Sequence, residues 1–261
     1  MIMTRLKFLL IATALAATPA IARDLPPGLT SARILPGWMD DQGNRIAAIE
    51  LRLEPGWKTY WRSPGDSGMP PSFDWSGSGN LDKITLHWPA PEAIRSGESL
   101  TMGYHDRLVL PFTASPKQAG EPVSMSASVD LGLCESICVP AHLELQADQP
   151  APQPDPLIQA ALANVPQPVR QDLTCLVQNI SDGVQVAITL PHDQIQIAAI
   201  ELAGQPEIWV SGTEIEQRAH GAVAVADFVP SSAAPFPLDI QRLRLTVIGS
   251  NGAAEIEGCQ P

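Results

Sequence analysis

Val129 to Pro140 reads VDLGLCESICVP. An alternating strand pattern from Ser124 to Leu133 breaks at two cysteines, Cys134 and Cys138, and a second alternating run begins at Val139 and continues to Leu145. Along a straight strand, residues i and i+4 lie about 13 Å apart, whereas a disulfide requires Cα atoms within roughly 7 Å. If these cysteines bond, the chain must turn across Glu135, Ser136 and Ile137. A disulfide that closes so small a ring removes little loop entropy and is prone to strain, which makes it easier to reduce. That points to a working disulfide, with a bond that merely pins a tight turn as the other reading.

The beginning of the chain suggests the compartment. Met1 to Ala22 combines Arg5 and Lys7, an apolar run from Phe8 to Ala17, and the small-residue pattern Ala20-Ile21-Ala22, the layout of a secretory signal cleaved after Ala22. The apolar run falls short of the about 20 residues a membrane span needs, and no later segment is long enough. The expected mature protein occupies the periplasm, where disulfides persist, and does not span the membrane. The net charge of −12 over 261 residues disfavours nucleic acid and anionic membrane surfaces as partners.

Composition divides the chain near residue 150. Gln149 to Pro156, QPAPQPDP, has four prolines in eight residues and continues neither strand nor helix. One short helix follows over Asp155 to Asn164, with Asp155 as N-cap and Pro156 at the first helical position. The division is a leader at 1–22, a first domain at 23–148, a Pro-rich linker with its helix at 149–168, and a second domain at 169–261.

Both domains read as all-β. In the first, Arg45 to Leu53, Trp57 to Arg62, Ser72 to Trp75, Lys83 to Trp88, Arg107 to Thr113, Val123 to Leu133 and Val139 to Gln146 form short alternating runs, and Arg62 to Pro71 (RSPGDSGMPP) reads as a loop. Five of the six tryptophans fall here, mostly as core. In the second, Gly183 to Leu190, Glu207 to Ser211, Glu214 to Ala219, Ala222 to Phe228 and Arg242 to Ile248 alternate between Gly, Pro and Ser punctuation. The fold class is therefore all-β, with two β-sandwiches, the second the smaller. Cys175 in the first strand of the second sandwich and Cys259 near its last would close a long loop, where a structural disulfide gains most. The favoured pairing is 134–138 with 175–259; a distal cysteine that resolves the close pair is the alternative.

Thiol exchange needs an accessible sulfur and a thiolate. Near the pair in sequence there is no activating cation: Glu135 adjoins Cys134, and His142 lies beyond Pro140. The spacing is not a thioredoxin C-x-x-C, and no βαβ pattern accompanies it. The thiols would stay quiet until a partner with an activated thiolate docks.

Three stretches carry a resemblance: GWKTYWRSPGDSG (Gly56 to Gly68), GYHDRLVLPFTAS (Gly103 to Ser115) and DLGLCESICVPAHLEL (Asp130 to Leu145). In this order they resemble the periplasmic N-terminal domain of DsbD-type thiol:disulfide reductases, most closely the ScsB subgroup linked to copper tolerance. The resemblance implies an immunoglobulin-like sandwich that relays reducing equivalents between a membrane-embedded thiol transporter of DsbD or CcdA type and thioredoxin-fold partners. It implies Cys138 as the sulfur of the mixed disulfide and Cys134 as the resolving thiol. It also implies a cap loop over the cysteines, which falls by position on Pro89 to Leu100, with Ile94 as a shielding residue and Glu92 as an acidic neighbour; this loop lacks the aromatic residue of the DsbD type. Tyr60 and Tyr104 are further candidates for the cysteine pocket. With no transmembrane region or thioredoxin-like domain in this sequence, the electrons would come from a separate membrane protein.

Two readings of other classes stand beside the relay. No cofactor is expected for exchange, but Cys134 and Cys138 could hold Cu(I) with Met69, Met102 or His105, since thiolates and thioethers select that ion; the methionines are scattered rather than clustered. The chain could also be a periplasmic adaptor without chemistry.

Overall fold

A computed structural model describes residues 25–97, 99–190, 195–219, 221–250 and 252–260; the leader read over 1–22 lies outside the described residues. Ten strands precede the Pro-rich segment: β1 (Leu29–Met39), β2 (Arg45–Leu53), β3 (Lys58–Gly65), β4 (Ser72–Asp74), β5 (Leu81–Leu86), β6 (Glu92–Ser96), β7 (Ser99–His105), β8 (Arg107–Pro116), β9 (Ser126–Cys134) and β10 (Cys138–Gln146). They form two facing sheets. One has the order β1-β2-β8-β5, the other β10-β9-β3-β7-β6 with β4 paired to β9. All these pairings are antiparallel.

The inner faces meet in one core that includes Trp61, Phe112, Leu110, Leu131, Leu133 and Trp88. Each such side chain contributes roughly 1.5–3 kcal/mol when taken out of water. β2 is buried along almost its whole length because a helix covers its outer face. That helix, α1 (Pro156–Ala163), starts at Asp155, whose carboxylate accepts the Leu157 N–H, with Pro156 in the first turn. Its Ile158 is fully buried against Leu35 and Ala48. The Pro-rich segment is tied to the first sandwich as well, by Ala151 N–H donating to Gly37 O at 2.7 Å.

Nine further strands follow: β11 (Gln167–Pro168), β12 (Cys175–Asn179), β13 (Val184–Thr189), β14 (Ile195–Leu202), β15 (Trp209–Val210), β16 (Glu214–Arg218), β17 (Gly221–Val229), β18 (Leu243–Gly249) and β19 (Gly252–Glu257). They make a sheet of order β11-β19-β18-β14 and another of order β12-β13-β17-β15, with β16 also on β17. A separate core, centred on Val186, Ile188, Ile200, Phe228 and Leu245, fills the space between them. The architecture is thus two β-sandwiches of immunoglobulin type. Among the described residues no helix is long and apolar enough to cross a membrane.

Two segments differ from the sequence reading. Arg62 to Gly65 belongs to strand β3 rather than to a loop; the β3–β7 register shifts between Tyr60 and Gly65, and such an irregularity accommodates Pro64, which has no N–H for the ladder. Pro89 to Leu100 is not a free loop either. Most of it pairs as the β6–β7 hairpin, with Glu92 opposite Gly103 and Ile94 opposite Thr101. Alternating apolar residues at Leu100, Met102 and Tyr104, all buried, give β7 its inner face.

Candidate functional site: a disulfide at a hairpin end

The β9–β10 hairpin runs in unbroken register from Ser126↔Gln146 to Cys134↔Cys138, so the two cysteines form its last pair and Glu135, Ser136 and Ile137 make the turn. The structure joins Cys134 to Cys138, with Cα atoms 4.1 Å apart. The turn requirement is met by direct cross-strand pairing. The two sulfur-bearing residues differ sharply in access: Cys134 is 1% exposed, whereas Cys138 is exposed beside Ile137, which is 75% exposed. Cys175 and Cys259 form the second disulfide, and both are buried in the second core.

β3 supplies the floor of the site. Lys58 pairs with Cys134 on one side and with His105 on the other, and Tyr60 lies opposite Gly103. Directly paired residues share a face of a sheet, so Cys134, Lys58, Tyr60, His105 and Glu92 all belong to the outer face, with Ile94 two residues beyond Glu92. The Tyr60 hydroxyl sits 2.8 Å from Cys134 Sγ and 3.3 Å from Cys138 Sγ. Its ring fits there because Gly132 has no side chain: a Cβ on Gly132 would lie 3.1 Å from the ring and 3.1 Å from Met69 Cβ. Burial raises the Tyr60 phenol above its ordinary pKa, so it keeps its proton.

The other candidates fall at different places. Tyr104 is opposite Thr59, on the inner face, where its hydroxyl donates to Pro89 O at 2.8 Å and its ring joins the core; it does not line the cysteine site, because strand alternation turns it away. Glu92 accepts from or pairs with His105 Nδ1 at 2.9 Å. Ile94 is buried on β6, separated from β9 by β3 and β7. The segment that packs beside the cysteine hairpin is instead the turn after β3: Met69 lies on Gly132, and Gly68 abuts Tyr60. Of the proposed copper ligands, Met102 is part of the core and His105 is engaged by Glu92; among the described residues no group of three or more His, Cys, Asp or Glu side chains is placed to hold a metal.

Lys58 was missed by reading only the cysteines' sequence neighbours. It is a 9% exposed cation directly across from Cys134, and among the described residues it forms no ion pair. The pattern Lys58-x-Tyr60 places both side chains on one strand face, but only the β3–β9 register sets that face against Cys134.

β3 also leaves the site toward the second sandwich. Arg62 is paired with Glu201 of β14 and Glu255 of β19, and Asp66 accepts the N–H groups of Leu100 at 2.7 Å and Gly212 at 2.6 Å. The strand that carries Tyr60 is therefore anchored to both sandwiches.

The family model for the N-terminal domain of thiol:disulfide interchange protein DsbD matches residues 31–150, the span of the first sandwich and its cysteine hairpin. No curated protein sequence matches the chain. Among solved structures, the N-terminal periplasmic domain of ScsB from Proteus mirabilis aligns with a TM-score of 0.62 at 21% identity, covering 85% of this chain and 89% of that one. A marsupial T cell receptor aligns with a TM-score of 0.18 at 8% identity, a likeness that carries no argument. Residues 31–150 thus match the DsbD N-terminal domain family, in a chain whose fold resembles the ScsB N-terminal periplasmic domain.

Proposed function

We propose that this protein is a periplasmic thiol–disulfide relay that works through Cys134 and Cys138. The observation that carries the reading is the asymmetry of the pair: one sulfur-bearing residue is exposed at a hairpin end and the other is buried beneath it. An incoming thiolate can reach Cys138 Sγ, while Cys134 is kept from solvent and competing thiols. In the reducing direction, the Cys138 thiolate attacks a partner's disulfide and forms a mixed disulfide. Cys134 then attacks Cys138 Sγ, which releases the partner as a dithiol and restores the 134–138 bond. A dithiol of a membrane-embedded transporter of DsbD or CcdA type would reduce that bond again, and thioredoxin-fold proteins would be the acceptors.

The family match over the cysteine-bearing sandwich supports this reading, as does the division of labour between an exposed disulfide and a buried one. Exposed Ile137 and Met69 beside the hairpin give an incoming partner apolar contact next to the sulfur. Trapping tests the proposal: Cys134→Ala, lacking the resolving thiol, should accumulate a mixed disulfide through Cys138 with a thioredoxin-fold protein, mapped by mass spectrometry. Absence of any adduct through Cys138 would contradict it.

A further inference from the structure

We infer that the Tyr60 hydroxyl is a catalytic hydrogen-bond donor that stabilises Cys134 as the leaving thiolate when an incoming thiolate opens the disulfide at Cys138. The inference rests on the exchange reading above and assigns it a further residue.

In the opening step, the partner's thiolate attacks Cys138 Sγ and forms a new S–S bond. The Cys134–Cys138 bond breaks, and its electron pair departs on Cys134 Sγ. The products are the mixed disulfide at Cys138 and a thiolate at Cys134; no external oxidant or reductant beyond the attacking thiol is involved. Such steps are faster when the leaving thiol has a lower pKa. The leaving sulfur here is 1% exposed, so water offers little solvation to the new charge, and an unsatisfied buried charge is costly.

Tyr60 meets that need. Its oxygen is 2.8 Å from Cys134 Sγ and 3.3 Å from Cys138 Sγ, closer to the sulfur that receives the charge. Burial holds the phenol above its ordinary pKa, so it donates a hydrogen bond without surrendering the proton. The groups around the sulfur fit the assignment. Lys58 of β3 is the strand partner of Cys134 and shares its sheet face. Met69 and Gly132 are neutral. Glu135 in the turn opposes the charge, but it is exposed and its carboxylate bonds to Ser136. His105 of β7 lies beyond Lys58 and is paired with Glu92 of β6. Tyr60 is the only hydroxyl among the described residues that hydrogen-bonds a sulfur of this pair.

Tyr60→Phe removes the hydroxyl and keeps the ring over Gly132. Two measurements read its effect in the full mature chain. First, opening of the oxidised 134–138 pair by dithiothreitol, followed by tryptophan fluorescence in stopped flow, should slow by about tenfold or more, the scale of one hydrogen bond to a charged group. Second, in a Cys138→Ala background, where Cys134 is the free thiol, thiolate ultraviolet absorbance against pH should show the Cys134 pKa raised by about one unit when Tyr60 is also replaced by Phe. A wild-type opening rate together with an unchanged Cys134 pKa would overturn the assignment. If wild-type protein exchanges with no thiol at all, the relay reading falls, and the Cys134 pKa comparison still decides the role of Tyr60.

Discussion

Arg62 on β3 makes a two-pronged ion pair with Glu201 on β14, Nε to Oε1 at 2.9 Å and Nη2 to Oε2 at 2.8 Å, and so joins the two sandwiches two residues beyond Tyr60. Glu255 also contacts the guanidinium, and Arg62 lies 4.5 Å over the Trp61 ring. Burial alone would lower the Arg62 pKa, but the hydrogen bonds and charges of Glu201 and Glu255 outweigh it and raise it further. Side-chain exposures of 20% for Arg62 and 10% for Glu201 place the pair between surface and fully buried cases. Glu201→Gln should therefore lower stability by about 1–3 kcal/mol in urea unfolding. A change below about 0.5 kcal/mol would show that the pair does not hold the sandwiches together.

Glu50 on β2 is fully buried and takes Arg33 at 2.6 Å, Arg52 at 3.1 Å, and Arg107. Burial pushes its carboxyl up, yet the Arg33 hydrogen bond and the charges of Arg107 and Arg33 bring it below its ordinary value. A carboxyl with a depressed folded-state pKa stabilises fully above its unfolded pKa of about 4.3, and the contribution is lost as pH falls through the lower folded value. Glu50→Gln should flatten the acid limb of stability against pH below about pH 4.3. An acid limb identical to wild type would contradict this.

The two disulfides should respond oppositely to removal. Cys138→Ala is expected to abolish exchange with dithiothreitol and leave the circular dichroism spectrum unchanged, because Cys138 is exposed at a hairpin end. Cys259→Ala opens a bond between residues 84 apart in sequence and should cost about 2–5 kcal/mol while exchange persists. Unfolding of the Cys138 variant, or loss of exchange in the Cys259 variant, would reverse the assignment.

Gly132 makes room for the Tyr60 ring. In Gly132→Ala the new methyl would meet the ring and Met69 Cβ, each 3.1 Å away, so the ring must shift relative to the sulfurs. Disulfide opening should slow by severalfold toward the Tyr60→Phe rate, a loss that combining the two substitutions would not double. Full additivity in the double variant would show that Gly132 acts independently of Tyr60.

Much of the fold was legible because period-2 patterns survive wherever one face is buried. Arg45–Leu53 reads from sequence with the bounds it has in the structure, and the Asp155 cap and Pro156 mark the helix start. β1 was not legible: Pro36 and Gly37 interrupt its alternation, and its register shifts between Leu35 and Trp38. The resemblance placed a cap loop on what is the β6–β7 hairpin, and the pairing that makes this segment a sheet edge is nonlocal. Among the site residues, the cysteines stood out by spacing alone. The position of Tyr60 depends on the missing side chain of Gly132, 72 positions away in sequence, and that of Lys58 on the β3–β9 register; neither is written in local sequence. Buried Arg45 shows the same limit, since its guanidinium is satisfied by the carbonyls of Pro36, Val123 and Asp148, which only the folded chain gathers.

The central claim is that the Cys134–Cys138 bond is a working disulfide, and its reduction potential tests this most directly. The purified mature protein would be equilibrated in thiol redox buffers, alkylated and mapped by mass spectrometry so that each disulfide is followed separately. The account predicts reversible titration of the 134–138 pair between about −180 and −270 mV, where exchange catalysts lie, with the 175–259 bond still closed. A 134–138 pair that stays oxidised well below about −300 mV would behave as a structural bond and contradict the account.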